Sequence, residues 1–254
     1  MEIVASKNAG VLTIELNRPD KKNSITSAMY QAMTAAVDDA ESDNAVRVIL
    51  FHGQPDIFCA GNDLEDFLKH PPSGPDSAVF RFMHSVSHAH KPMIAAVTGA
   101  AVGIGTTLLF HCDLVYAGDN AKFVLPFNSL GVVPEFASSY LLPMIAGYQR
   151  AAELLLLGDP FGPDKAKAAG FVTEVLPAAE ALPAAQKAAA RLAALPAKSV
   201  RTTKALLKHA HLQHIEAQMR VESEHFRQML TEPAAREAFA AFFERRKPDF
   251  SKFS

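Results

Sequence analysis

The sequence predicts an α/β fold followed by a helical C-terminal region, and two observations carry that prediction. In the first part of the chain, short β-like apolar runs alternate with segments of helical periodicity, the pattern of strands joined by crossover helices. From about Pro177 alanine becomes frequent, strand-forming runs vanish and helical patterns continue to Lys247. A chain of 254 residues is enough for one large domain or a domain with an appendage. Its 49% hydrophobic and 20% charged residues exclude a disordered or collagen-like chain.

Each element has a local reason. Val11 to Asn17 alternates as a strand should, and Arg18-Pro19-Asp20 ends it. Ser24 to Ser42 reads as an amphipathic helix with Met29, Met33, Ala36 and Val37 on one face. Val46 to Phe51 is a continuous apolar strand, and His52 to Asp63 a loop bearing Gly, Pro and Asp. A helix follows over Ser77 to His90, then a strand over Met93 to Val97, a short buried helix over Gly103 to Phe110 and a strand over Leu114 to Tyr116. The longest apolar stretch, Pro92 to Phe110, is broken by Gly99, Gly103, Gly105, Thr98, Thr106 and Thr107. It reads as a buried strand-turn-helix rather than a membrane span. The region 196–254 carries Leu206, Leu207, Met219, Phe226, Met229, Phe239, Phe242 and Phe243, which need a surface to bury against, in the chain's own core or on another subunit.

Composition excludes several functions. With 25 basic and 27 acidic residues there is no positive surplus to hold nucleic acid. Two cysteines, Cys59 and Cys112, rule out a disulfide framework and speak against a Cys-rich zinc site. A reducing compartment fits. Met1 to Val11 has no basic segment followed by an apolar run, so a cytoplasmic location without a secretory leader is expected. His84, His88 and His90, and His209, His211 and His214, read as solvated helix faces, since no Glu accompanies them in metalloprotease spacing. Lys198, Arg201, Lys204 and Lys208 recur at helical spacing and read as a solvated basic stripe, with contact to a phosphate as the other reading.

Three segments are candidates for chemistry. Phe58-Cys59-Ala60-Gly61-Asn62-Asp63-Leu64 joins a strand to a helix. Its small residues can turn backbone N–H groups toward a ligand, or it is a plain turn with Asn62 or Asp63 as helix cap. Gly99-Ala100-Ala101-Val102-Gly103-Ile104-Gly105 precedes an apolar helix. It offers either an anion site at the helix start or close helix–strand packing. It lacks the third glycine of a dinucleotide fingerprint. Glu135 stands among Leu130, Val132, Val133, Phe136 and Ala137. Buried and unpaired, such a carboxylate has a raised pKa and suits general-base work near neutral pH. Exposed, it is an acid at the start of a helix over 136–147.

Together these segments resemble the crotonase (enoyl-CoA hydratase/isomerase) superfamily, nearly end to end. Arg18-Pro19-Asp20-Lys21-Lys22-Asn23-Ser24-Ile25, Phe58 to Leu64, Lys91 to Gly105, Cys112 to Ala117 and Phe239 to Phe250 carry the resemblance. It implies a crotonase-like spiral core of ββα turns over 1–195 and a C-terminal helical region over 196–254 that assembles trimers or dimers of trimers. It implies a coenzyme A thioester as the substrate, with no metal or redox cofactor and no nucleic-acid or membrane partner. The backbone N–H groups of Ala60 and Ile104 would meet the thioester oxygen. Lys22, Ala60, Asp63, Leu64 and Lys247 would bind coenzyme A, with Lys247 on its phosphates. Phe67, Phe127 and Phe136 would line the acyl pocket.

Hydratases of this superfamily carry two catalytic glutamates, and the matching positions here are Thr107 and Phe127. Val133-Pro134-Glu135-Phe136 instead resembles the monofunctional, peroxisomal-type Δ3,Δ2-enoyl-CoA isomerases, which use one glutamate; their usual glycine after that glutamate is Phe136 here. The resemblance therefore implies an isomerase of fatty-acid oxidation with Glu135 as its base. The alternatives are hydration or another crotonase-type reaction on a CoA thioester, or a non-catalytic acyl-CoA-binding module.

Overall fold

The computed structural model describes residues 1–72 and 74–253. The chain opens on an antiparallel hairpin, β1 (Ile3–Asn8) and β2 (Val11–Leu16), then enters α1 (Ser27–Ser42). Thr26 caps α1 by accepting from the Met29 N–H at 3.3 Å, and Met29, Met33, Val37 and Ala40 form its buried stripe. Three strand pairs follow. β3 (Val48–His52) precedes β4 (Ile57–Cys59), and after them come α2 (Leu64–Lys69) and α3 (Ala78–His88). β5 (Met93–Val97) and β6 (Ala100–Val102) lead to α4 (Ile104–Thr107) and a 3-10 turn at Leu108–His111. β7 (Leu114–Gly118) and β8 (Lys122–Val124) lead through a long loop to α5 (Ser138–Ala146).

The first strand of each pair joins a large sheet of order β1-β2-β3-β5-β7-β9, and the second joins a small sheet of order β4-β6-β8. Except for β1 against β2, all neighbours are parallel. This is the ββα spiral that the resemblance implies. Before β9 (Glu174–Leu176) lie α6 (Tyr148–Ala152) and α7 (Pro163–Ala169); after it come α8 (Ala178–Ala193), α9 (Ala197–Lys208), α10 (Leu212–Met229) and α11 (Pro233–Phe243).

The central strands are buried on both faces, which explains their unbroken apolar runs. Ile49, Phe51, Met93, Ala95 and Val97 point into the main core. Val48, Leu50, Ile94 and Ala96 face the other way and pack on Ala185, Ala188 and Ala189 of α8. The alanine richness beginning near Pro177 is thus the price of a helix lying close on a sheet. Ile215, Ala235 and Phe239 of the C-terminal helices belong to the main core, and Met219, Phe226 and Met229 pack against it.

Several expectations change. The loop expected over 52–63 contains β4, and β1, β6, β8 and β9 carry no sequence signal that the periodicity revealed. The basic stripe is solvated only in part: Lys198 is exposed and Arg201 half-buried, but the other two lysines turn inward. Lys204 is buried and pairs with Asp113 at 2.8 Å, and Lys208 Nζ is buried without a partner among the described residues and pushed down to about 8 by burial. Among the described residues no helix is long and apolar enough to cross a membrane, and no cluster of His, Cys, Asp or Glu is placed to hold a metal.

Candidate active site

Parallel pairing of β4, β6 and β8 brings the loops that follow them to one end of the small sheet. The first two are pressed together. A Cβ at Gly105 would meet the Cβ of Cys59 at 2.8 Å and its carbonyl oxygen at 2.9 Å, so only glycine allows this approach.

In the first loop, extended structure continues past β4. Asn62 bridges Ile25 in parallel: the Ile25 N–H donates to Gly61 O at 2.8 Å and the Asp63 N–H to Ile25 O at 2.9 Å. The Ala60 N–H, expected to face a ligand, donates instead to Lys22 O at 3.0 Å. It is spent on the fold. Alternation along the segment turns the Asn62 N–H away from residues 22–25, and it has no hydrogen-bond partner among the described residues. The Asn62 side chain is fixed by the Tyr30 hydroxyl, which donates to Oδ1 at 2.6 Å.

In the second loop, Gly103 sits at φ 55° and ψ −120°, where a side chain is strained even though open space surrounds the missing Cβ. Its carbonyl accepts from the N–H groups of Thr106 and Thr107 at 2.8 and 3.0 Å. The Ile104 N–H, at the start of α4, has no such acceptor among the described residues.

The third loop supplies Glu135. It is buried, 7% exposed, which removes the reading of an exposed helix acid. Thr107 Oγ1 donates to its Oε1 at 2.6 Å, while Oε2 is buried and has no partner among the described residues. Burial pushes this carboxyl up to about 8; the Thr107 hydrogen bond opposes the shift and the Glu222 charge adds to it. Phe136 is buried beside it with φ 62°. Asn62, Phe67, Phe80, Glu135, Phe136 and Glu222 line one cavity of about 20 Å³.

The remaining expected residues are dispersed. Asp63 caps α2 through the Asp66 N–H at 3.1 Å and pairs with Arg18 at 2.7 Å. Burial raises its pKa, but the Arg18 hydrogen bond and charge hold it below the ordinary carboxylate range. Lys22 is exposed with φ 52°, and Leu64 begins α2 half-buried against the core. Phe127 is buried in the core and is not among the residues lining the cavity. Lys247 is exposed after α11, and its ammonium forms no ion pair among the described residues. Sequence reasoning missed the Asn62 N–H, the Thr107 hydrogen bond, His111 and Glu222. The alternation of N–H directions along an extended segment was the one available signal, and it required knowing that β4 exists.

The enoyl-CoA hydratase/isomerase family model matches residues 6–252. The chain is 33% identical over 260 residues to 1,2-epoxyphenylacetyl-CoA isomerase of Escherichia coli, covering 99% of each. It is 38% identical over 212 residues to rat enoyl-CoA delta isomerase 2, covering 81% of this chain but 54% of the rat protein, about half its length. Among solved structures it resembles Pseudomonas aeruginosa OdaA, with TM-score 0.94 and 44% identity over 96% of this chain and 99% of that one.

Proposed function

The chain belongs to the enoyl-CoA hydratase/isomerase family, and on that premise we propose that it is an acyl-CoA isomerase that moves the double bond of a 3-enoyl-CoA to the trans-2 position. The observation that carries the reading is Glu135: one carboxylate oxygen is buried and unpartnered among the described residues, and Glu135 lines a cavity with Asn62, whose backbone N–H is unspent, as is that of Ile104. Oε2 removes a proton from C2, and the electrons move into the thioester carbonyl to give a dienolate. The N–H groups of Ile104 and Asn62, the latter in place of Ala60, hold the charge that develops on oxygen. Protonated Glu135 then returns the proton to C4. A carboxyl with pKa near 8 suits both steps, because it accepts and releases a proton near neutral pH.

Hydration needs a second group to activate water. Thr107 is committed to Glu135, and the other carboxylate of the cavity, Glu222, accepts from the Ala137 N–H at 2.6 Å and the Ser139 N–H at 3.0 Å. A second reading, isomerisation of a ring-bearing acyl-CoA, draws on the end-to-end match to 1,2-epoxyphenylacetyl-CoA isomerase and on the aromatic lining from Phe67, Phe80, Phe136 and Phe226. The exposed Leu206, Leu207, Phe242 and Phe243 support assembly into a homotrimer or a dimer of trimers. Incubating the purified protein with 3-hexenoyl-CoA, 2-hexenoyl-CoA and 1,2-epoxyphenylacetyl-CoA tests the assignment. Conversion of 3-hexenoyl-CoA should dominate; hydration of 2-hexenoyl-CoA at an equal rate would overturn it, and turnover of the epoxide alone would select the second reading.

A further inference from the structure

The segment carrying Glu135 is held in a conformation that its residues disfavour. Phe136 and Ala137 lie in succession in the left-handed region, at φ 62° and 56°. For non-glycine residues this costs on the order of 1–3 kcal/mol each, so surrounding contacts must impose it. Two come from His111, whose ring stacks on Phe136 at 3.9 Å between centroids and whose Nε2 meets the Phe136 carbonyl at 2.8 Å. Burial, aided by the Lys208 charge, pushes His111 down to about 3, so it is neutral with its proton on Nε2.

The other contacts come from Glu222 on α10. Its Oε2 accepts the Ala137 N–H at 2.6 Å and its Oε1 the Ser139 N–H at 3.0 Å, and the Ser139 hydroxyl donates to that same Oε1. Gln218, one turn earlier, donates to Ser139 Oγ at 2.8 Å. The first N–H groups of α5 have no side-chain cap of their own, so a carboxylate more than eighty positions along the chain, at |i−j| of 85 and 83, serves as the cap. Glu222 is 5% exposed and lines the same cavity as Glu135.

We propose that Glu222 is a positioning residue for Glu135: its carboxylate clamps the start of α5 and fixes the Phe136–Ala137 turn that aims Glu135 into the cavity. The role in turnover rests on the reading of Glu135 as the base. The clamp has an electrostatic consequence. Facing Glu135 are Thr107 from α4, Tyr30 from α1, Cys59 from β4 and Glu222 from α10. Burial raises Tyr30 well above its ordinary value and Cys59 to about 12, so both are neutral. Glu222, raised to about 7 by burial against three hydrogen bonds that favour its ionised form, is the negative neighbour. Its charge makes Glu135 more basic.

The experiment compares wild type, Glu222→Gln and Glu222→Asp by three readouts: kcat and KM against pH with 3-hexenoyl-CoA, the carbon-13 carboxyl titration of Glu135, and amide hydrogen exchange across 135–142. In Glu222→Gln, kcat should fall about ten- to a hundredfold, the scale of a small misplacement of a reacting group, with KM little changed. Both the rate profile and the Glu135 titration should move to lower pH. Exchange at Ala137 and Ser139 should accelerate about tenfold or more, matching lost hydrogen bonds to a charged group. Glu222→Asp keeps the charge but shortens the reach, so it should recover part of the titration shift and little of kcat; it also serves if the Gln variant does not fold. Unchanged Glu135 titration together with unchanged exchange at 137 and 139 would overturn the proposal, whatever happens to kcat. If wild type fails to isomerise any 3-enoyl-CoA, the functional reading falls, while titration and exchange still decide whether Glu222 positions Glu135.

Discussion

Two buried polar clusters of this molecule handle their charges in opposite ways. Around Lys91, the two buried ammonium groups of Lys91 and Lys204 are both answered. Lys91 Nζ donates to the carbonyls of Ala40 and Asp43, the latter at 2.7 Å. Lys204 Nζ donates to Lys91 O at 2.7 Å and to Asp113 Oδ2 at 2.8 Å, and that oxygen also accepts the Met93 N–H at 2.7 Å. The cluster ties the end of α1, the start of β5 and α9 into one geometry. Around Glu135 the answer is incomplete: Thr107 serves one oxygen and no group among the described residues serves the other. A satisfied buried charge fixes structure, whereas an unsatisfied one stores reactivity at the expense of stability.

The comparison breaks most sharply at Glu135→Gln. Turnover should fall about a hundredfold or more, the scale of a lost general base. Stability should move the other way, by an amount that grows as pH rises from about 4.5 to about 8. Burial lifts the folded carboxyl to about 8, whereas the unfolded one keeps its ordinary value of 4.5. Between those values the folded chain keeps a proton that the unfolded chain has released, so this group's contribution is full below about 4.5 and is lost as pH rises through 8. Melting temperatures at pH 5 and pH 9 check this: the variant should gain several degrees on wild type at pH 9 and little at pH 5. An equal difference at both would mean that Glu135 is not held as a neutral acid.

Lys204→Met makes the converse case. It removes the cation that pairs with the exposed Asp113 and leaves the buried Lys91 carbonyl without its donor, which costs about 1–3 kcal/mol, the penalty of an unsatisfied buried acceptor. Urea unfolding should show that loss, and kcat of the folded protein should stay at the wild-type value. A drop in kcat at a temperature where the variant is fully folded would erase the distinction between the clusters.

How much of this was legible in the sequence follows from the physics of each part. The inner strands β2, β3, β5 and β7 of the large sheet announced themselves, β3 and β5 because they are apolar on both faces, and α1 did so because its stripe repeats over sixteen residues. β4, β6 and β8 did not, since strands of three residues hold too little pattern to alternate. That gap mattered for the site. Without β4 there is no way to see that Ala60 spends its N–H on Lys22 and that Asn62 does not. Glu135 was legible, because an acid among Val132, Val133 and Phe136 must reach water or change its pKa. Glu222 was not: it sits on α10 among charged residues that look solvated, and only tertiary packing carries it beneath α5. The basic stripe on α9 misled for the same reason, since helical spacing alone does not tell which face the core will claim.

A smaller effect separates the neighbours of Glu135 from one another. Thr107 donates to the ionised carboxylate and so holds its pKa down, the reverse of the Glu222 charge. Thr107→Val should push the acid limb of kcat/KM to higher pH and lower the rate at pH 7 about tenfold, as expected for losing a hydrogen bond to a charged group. Thr107→Ser should restore both. A limb that moves to lower pH would show that Thr107 matters only for packing.

The smallest expected effect lies outside both clusters, at Lys247. It is exposed, and no carboxylate holds its ammonium among the described residues. The family resemblance puts it on the coenzyme A phosphates. A solvent-exposed ion pair contributes at most about 1 kcal/mol, which is about a fivefold change in affinity. Because a phosphate is remote from the reacting carbons, that contact is made equally in the ground and transition states. Lys247→Ala should therefore raise KM about fivefold or less while kcat stays nearly constant. Salt screens the same interaction, so KM of wild type should rise with ionic strength more steeply than KM of the variant. Steady-state kinetics at low and high salt decide the matter: a fall in kcat at constant KM would move Lys247 from coenzyme binding to the chemistry, and identical salt slopes would remove it from the phosphates altogether.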